Sequence, residues 1–346
     1  MPPSSRFSAC TWLAVSGIAC GSAEQGRDAL GFDEQRPDPI SSTDEAGPQR
    51  FLDSDAPSYV PAPEATESCA VSRVVLRQTR RPIDIILVLD NSVSMAGELD
   101  AVERNINAHF ANILDASGVD YRVIVISRHR SLARTRSDQA KTAVCISAPL
   151  SALAACPAPA PGLSERFFQY STDIDSHDSL SMLLASYDQP DPLYRVAPGG
   201  WSQWLREGTH KVFLELTDDD SFTSADEFLS ELTARAPEHF GPSPREPSFV
   251  FHSIIGVAER EALDGAEPVV VEREPLDGAY RPEEPVVVER CASAEHLAPS
   301  AGPIYQTLSR LTGGLRYPLC HLDNYNAIFE SIAEDSRDRS GLAPSA

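Results

Sequence analysis

The strongest constraint on this chain is a series of apolar runs, each short enough to be one strand. Ile83 to Leu89 reads Ile-Asp-Ile-Ile-Leu-Val-Leu, and Tyr121 to Ser127 reads Tyr-Arg-Val-Ile-Val-Ile-Ser. Lys211 to Thr217 and Ser248 to Val257 repeat the pattern. A strand covered on one face alternates apolar and polar residues, whereas a strand covered on both reads as a near-continuous apolar run. These runs therefore predict central strands of a sheet with helices on both sides.

The segments between them carry the helical period. Leu99, Val102, Ile106, Phe110 and Ile113 recur at helical spacing, and Gly118 stops that helix. Leu180, Leu183, Leu184 and Tyr187 predict a helix opening near Ser176, and Phe228, Leu229 and Leu232 one opening at Ser224. Ile304, Leu308 and Leu311 mark a helix ending at Gly313-Gly314, and Tyr325, Ile328, Phe329 and Ile332 mark a closing helix. Phe167 to Tyr170 and Leu315 to Leu319 read as short strands, with Val74 to Leu76 as an edge strand. Strand alternating with helix predicts an α/β, Rossmann-like fold with a mostly parallel central sheet and helices on both faces. Trp201 and Trp204 read as packing at a helix rather than as a carbohydrate platform.

One repeat interrupts this order. Glu-Pro-Val-Val-Val-Glu-Arg occurs at 267–273 and again at 284–290. Two copies are too few for a solenoid. The pair reads as a surface insertion over about 259–290, and the Val runs fit a two-stranded hairpin.

The bulk numbers exclude some functions. The chain has 346 residues, 42% hydrophobic content and a formal net charge of −22. That charge argues against nucleic acid, since phosphates would be repelled, and against docking on anionic headgroups. A basic stretch, Arg128, Arg130, Arg134, Arg136 and Lys141, reverses the sign locally and reads as a solvated loop or as a patch for an acidic partner.

The N-terminus resembles an export signal. Arg6 is followed by a short apolar stretch from Phe7 to Ala19, too short to span a bilayer as a helix. Gly17-Ile18-Ala19-Cys20 resembles a bacterial lipoprotein cleavage box with Cys20 as the lipidated residue, although Gly17 stands where that box prefers Leu. Ordinary secretion is the alternative. Residues 21–71 follow as an acidic linker with few large apolar residues. The expected location is the cell envelope, as an outer-membrane lipoprotein facing the periplasm or the surface, with the membrane met only through the lipid. Cysteine usage fits an oxidising compartment. Cys145 and Cys156 share one Pro- and Ala-rich loop and are expected to pair; Cys291 and Cys320 flank the last helix–strand unit and are expected to pair; Cys69 is left over.

The chemistry concentrates where the first strand ends. Asp90, Ser92 and Ser94 place a carboxylate and two hydroxyls on alternate positions, on one side of an extended turn. Oxygen donors suit Mg²⁺, Mn²⁺ or Ca²⁺ and disfavour zinc or copper. A later strand ends in Thr217-Asp218-Asp219-Asp220. Capping is the plain alternative for Asp90, Ser92, Ser176 and Asp218.

The D-x-S-x-S run, the later Leu-Thr-Asp and the Thr312-Gly313-Gly314 before the last strand resemble, in order, the motifs of von Willebrand factor type A (VWA) domains. The resemblance covers about residues 80–335 and implies a VWA domain over 72–335, with a tail at 336–346. Val93 and Asp219 stand where the family usually has Gly. The resemblance implies a divalent cation, Mg²⁺ first, held by Asp90, Ser92, Ser94 and Asp218, with a hydroxyl from a further loop. Ser176 is the first choice for that hydroxyl and Thr172 the second. It also implies binding rather than catalysis: a monomer that captures the carboxylate of a protein partner through the cation. The rival readings are an inert envelope lipoprotein with a VWA-like fold and a metal-dependent phosphohydrolase. The latter would need a second Asp where Ser92 stands.

Overall fold

The computed structural model describes residues 80–131, 142–259, 278–292, 297–320 and 325–341. All of these belong to the unit Arg73–Ala346. The strand expected at Val74 to Leu76, Cys20, Cys69, the linker and the first copy of the repeat lie outside the described residues.

One six-stranded sheet organises the unit. Its strands are β1 (Ile83–Leu89), β2 (Tyr121–Ile126), β3 (Phe167–Tyr170), β4 (His210–Thr217), β5 (Phe249–Ile255) and β6 (Arg316–Pro318). They run in the order β3-β2-β1-β4-β5-β6, with every neighbouring pair parallel. The α/β class read from the sequence is therefore present, and the sheet is parallel throughout. Every residue of β1 and of β5 is buried, as strands covered on both faces must be.

Alternate side chains of the strands feed two cores. Ile85, Leu87 and Leu89 pack with Leu99, Val102, Phe110, Ile328, Phe329 and Ile332. Those residues come from α1 (Ala96–Asn105), a π-helical turn (Ile106–Phe110) and α7 (Tyr325–Ser340), with α2 (Ala111–Ser117) extending the same layer. Ile86, Val88, Phe213 and Phe251 pack on the opposite side with Leu180, Leu183, Phe228, Leu232, Tyr305 and Leu308. This second layer is α3 (Ser179–Ser186), α4 (Ala225–Arg235), the short α5 (Pro237–Phe240) and α6 (Pro303–Thr312). Trp201 and Trp204 are buried in it, on a 3₁₀ turn, and are packing residues.

Several local expectations shift. The helix expected across Leu99 to Ile113 is interrupted by the π turn before Gly118 ends it in a left-handed conformation, φ 68°. The helix expected to open at Ser176 begins at Ser179, with Asp178 before it. The closing helix runs past 335 to Ser340, whose carbonyl accepts a hydrogen bond from the Arg81 N–H. The repeat does not form the expected hairpin strand at its second copy. Residues 284–290 carry no strand beyond a bridge of Arg290 to Val257, and Gln306 grips Val287 instead through both its N–H and its carbonyl. Both expected disulfides, Cys145–Cys156 and Cys291–Cys320, are present.

The Thr-Gly-Gly motif has a packing reason. Gly313 caps α6 with φ 77°, and a Cβ on Gly314 would lie 1.9 Å from the Phe251 carbonyl oxygen. Thr312 Oγ1 accepts the Phe251 N–H at 2.9 Å. The motif is what allows α6 to turn directly into β6 against β5.

Candidate metal centre

The strand order reverses between β1 and β4. The chain builds outward from β1 to β2 and β3, then returns to lay β4 against the other edge of β1. Loops leaving the carboxyl ends of these two strands diverge, and open α/β sheets bind ligands in the crevice so formed. Asp90 follows β1 and Asp218 follows β4, so the two carboxylates chosen from sequence stand at this crevice.

Both are fully buried at the residue level. Asp90 is held from two sides: its Oδ1 accepts the Ser92 N–H at 2.8 Å and its Oδ2 accepts the Thr217 hydroxyl at 2.8 Å. Each carboxylate oxygen has two lone pairs, so these bonds orient Asp90 and leave acceptor capacity. Ser92 Oγ and Ser94 Oγ lie 3.0 Å apart, hydrogen-bonded to each other. The segment is not the extended turn expected: Ser94 lies in the 3₁₀ turn Val93–Met95, and that turn sets the two hydroxyls side by side.

Burial pushes the Asp90 carboxyl up to about 6. The Ser92 and Thr217 hydrogen bonds pull it down, and the Asp218 carboxylate pushes it up again. The repulsion from Asp218 marks the two acids as electrostatic neighbours. A shared cation would relieve it.

The capping alternative holds in part: Asp90 Oδ1 takes the Ser92 N–H at the head of the turn that follows β1, whereas Ser92, Ser176 and Asp218 make no cap bond to a following helix. Ser92 precedes the 3₁₀ turn Val93–Met95 without a side-chain cap bond. The cap of α4 is Ser224, whose Oγ accepts the Glu227 N–H, so Asp218 does not cap that helix. Ser176 does not cap α3 either.

A third loop, residues 171–178, joins the same end of the sheet. Asn91 ties it down: Asn91 Oδ1 accepts the Ile174 N–H at 2.6 Å, and the Asn91 N–H donates to the Ile174 carbonyl. Ser176 is partly exposed on this loop and Thr172 is buried. Among the described residues, no hydrogen bond joins either hydroxyl to Asp90, Ser92 or Ser94. A fourth segment enters at Thr142, whose hydroxyl donates to the Ser92 carbonyl at 3.0 Å.

The donor set is thus two carboxylates and two paired hydroxyls, with Ser176 or Thr172 on an adjoining loop. It fits a hard divalent cation, which takes oxygens and keeps waters. Among the described residues, no cluster of three or more His, Cys, Asp or Glu side chains is placed to hold a metal.

Of the basic stretch, Arg128 pairs with Asp173 at 2.6 Å, and Arg130 pairs with Asp100 at 2.6 Å and Glu103 at 3.4 Å. Arg134, Arg136 and Lys141 lie outside the described residues. The two described arginines serve the fold's own acids.

No protein-family model matches the chain, and neither a curated protein nor a solved structure matches it.

Two positioning residues and one buried acid carry little signal in the sequence. Thr217 fixes Asp90, and Asn91 ties down the 171–178 loop. Glu215 lies on β4 facing the second core, fully buried, in register with Val88 and Ser253. A lone acid within an apolar strand was the available signal for Glu215.

Proposed function

We propose that this chain carries a metal-dependent, VWA-type protein-binding domain, and that it captures an acidic side chain of a partner through a divalent cation. The observation that carries this reading is the meeting of Asp90 and Asp218 at the strand-order reversal, beside the Ser92–Ser94 hydroxyl pair.

Asp90 and Asp218 would hold the cation, Mg²⁺ first, with the Ser92 and Ser94 hydroxyls and Ser176 or Thr172 completing the protein's share. When bound, the cation supplies an electrophilic position for a partner's carboxylate. Asp90 is locked by Thr217 and the Ser92 N–H, so little side-chain freedom remains to be lost on binding. The hydroxyls are neutral donors and leave the cation's charge less compensated than further carboxylates would. With Ser92 at the place where a second acid would act, the residues favour binding over phosphoryl hydrolysis. Two disulfides support an exported location, consistent with the lipid anchor expected at Cys20.

Titration calorimetry with Mg²⁺, Mn²⁺ and Ca²⁺ tests the reading. The unaltered chain should bind at least one of these ions, and Asp90→Ala should abolish the heat while keeping its far-ultraviolet circular dichroism. Absence of cation heat in the unaltered chain would leave the inert scaffold as the better account. Turnover of an aryl phosphate would favour the hydrolase.

A further inference from the structure

Asn91 stands between two of the candidate cation ligands, Asp90 and Ser92, and is fully buried. It holds the loops on both sides of its own. Its Oδ1 accepts the Ile174 N–H at 2.6 Å, and its N–H donates to the Ile174 carbonyl at 3.1 Å. Its carbonyl accepts the Thr142 N–H at 3.0 Å. Its Nδ2 meets no hydrogen-bond partner among the described residues. A buried amide left unpaired is destabilising, and such a group calls for an explanation. Packing alone would favour an apolar residue at this position. What the asparagine supplies is the Oδ1 bond to the 171–178 loop.

That loop is fastened at its ends as well. The Ser171 N–H donates to Asp191 Oδ2 at 3.1 Å, and Ser171 Oγ accepts the His129 N–H at 2.9 Å. Asp173 pairs with Arg128, and the His177 carbonyl accepts the Phe222 N–H at 3.0 Å. Thr172 and Ser176, the two hydroxyls from which the centre would draw, lie on either side of Ile174. The Asn91–Ile174 bonds join the middle of this loop to the segment that bears Asp90, Ser92 and Ser94. The rest of the centre is equally fixed. Asp90 carries one hydrogen bond on each carboxylate oxygen, from the Ser92 N–H and from the Thr217 hydroxyl, which favours coordination through one oxygen over chelation through both. Ca²⁺ takes about six to eight oxygens in adaptable geometry, bidentate carboxylates included, whereas Mg²⁺ takes a near-ideal octahedron and keeps waters. Few protein oxygens, each held in place, suit the smaller ion. A loop free to shift can present further oxygens and suits the larger.

We infer that Asn91 sets the ion choice of this centre: by fixing the middle of the 171–178 loop against the Asp90–Ser94 segment, it makes the site one for a small octahedral cation, Mg²⁺ or Mn²⁺, rather than for Ca²⁺. The inference rests on the proposed cation binding and adds the basis of its selectivity. Asn91 acts through the loop, so it is a positioning residue and not a ligand.

Titration calorimetry of the full chain and of Asn91→Ala with Mg²⁺ and with Ca²⁺ tests this. The unaltered chain should bind Mg²⁺ more tightly than Ca²⁺. In Asn91→Ala the Mg²⁺ affinity should fall about tenfold to a hundredfold, as when a residue that orients a metal ligand is lost. The Ca²⁺ affinity should change by no more than about threefold, because Ca²⁺ accepts irregular geometry. The anchors at Ser171, Asp173 and His177 remain, so the variant should keep the circular dichroism of the unaltered chain. Should Asn91→Ala not fold, Asp191→Asn decides: it keeps an oxygen for the Leu193 and Tyr194 N–H groups and loses the one that holds Ser171, and the Mg²⁺ to Ca²⁺ ratio should again fall. A loss equal for the two ions is what damage to the fold alone would give, and it would overturn the inference, as would an unchanged ratio. Tighter binding of Ca²⁺ than of Mg²⁺ by the unaltered chain would also overturn it and leave the cation reading intact. No heat with either ion would overturn both.

Discussion

Thr217 Oγ1 donates a 2.8 Å hydrogen bond to Asp90 Oδ2, from the end of β4 to the end of β1. Both partners are buried. The bond joins the two strands at the point where the sheet order reverses, and it sets the orientation of the acid that begins the candidate centre.

Thr217→Val keeps the shape and removes the donor. It should cost about 1–3 kcal/mol of stability, the range for leaving a buried polar group without its partner. Cation affinity should fall about 10–100-fold, the usual effect of losing a residue that orients a metal ligand. Urea unfolding and Mg²⁺ calorimetry on the same preparation check both. An unchanged affinity would show that Asp90 is oriented by Ser92 alone.

Glu215 gives an opposite pH signature. Burial pushes its carboxyl well above the usual range; the Ser179 hydroxyl pulls against this, and the nearby Asp90 and Asp178 carboxylates each add a smaller push. Among the described residues, neither carboxyl oxygen meets a hydrogen-bond partner in good geometry. A carboxyl that keeps its proton in the folded chain and loses it when unfolded makes stability fall as pH rises above the unfolded value of about 4.3. Glu215→Gln should therefore raise the urea midpoint at pH 7 and leave it nearly unchanged at pH 4. A variant less stable than the parent at pH 7 would contradict this account.

Asp335 on α7 titrates the other way. Burial works to raise its carboxyl, but the His252 ring, with Nε2 at 3.4 Å, and Arg339, at 2.6 Å, outweigh it and hold it well below the usual range. His252 Nδ1 accepts the Leu315 N–H at 3.0 Å, which places the ring proton on the nitrogen facing Asp335. A depressed carboxyl stabilises the fold above the unfolded value near 3.9, and that contribution is lost as pH falls below it. Asp335→Asn should cost about 1–3 kcal/mol at pH 7 and make acid unfolding between pH 4 and pH 2 shallower. Chemical unfolding across that range measures it.

The Cys291–Cys320 disulfide closes a loop of sequence separation 29 and ties the end of the second repeat copy to the end of β6. Loop-closure entropy assigns it about 3.6 kcal/mol. Cys291→Ala with Cys320→Ala should lower the melting temperature by several degrees. The side chains of the Asp90–Asp218 site come from other segments, and the closed loop touches it through the backbone, where the Ser300 N–H donates to the Asp218 carbonyl, so Mg²⁺ binding by the folded double variant should persist. Loss of binding in a folded variant would show that the 291–320 region supports the site.

The sequence by itself marked the six described strands, an α/β class with a mostly parallel sheet, and two expected cysteine pairings whose connectivity it did not fix. Those signals are local: apolar runs mark strands buried on both faces, helical spacing marks the crossovers, and short spacing marks Cys145–Cys156. It also singled out Asp90, Ser92 and Ser94 by their spacing, although the 3₁₀ turn Val93–Met95, rather than the expected extended alternation, sets the two serine hydroxyls together. What it could not carry was the order of the strands. The nearness of Asp90 to Thr217 spans 127 residues of chain, and no local pattern records it. Only the return of β4 to the free edge of β1 makes Thr217 a clamp, brings Asp218 within electrostatic reach of Asp90 and buries Glu215 nearby. The same holds for the repeat, where two Val runs suggested a hairpin by strand preference alone. The tertiary structure offered the second copy Gln306 and Val257 as partners, and backbone groups pair with whatever the packed fold brings within reach.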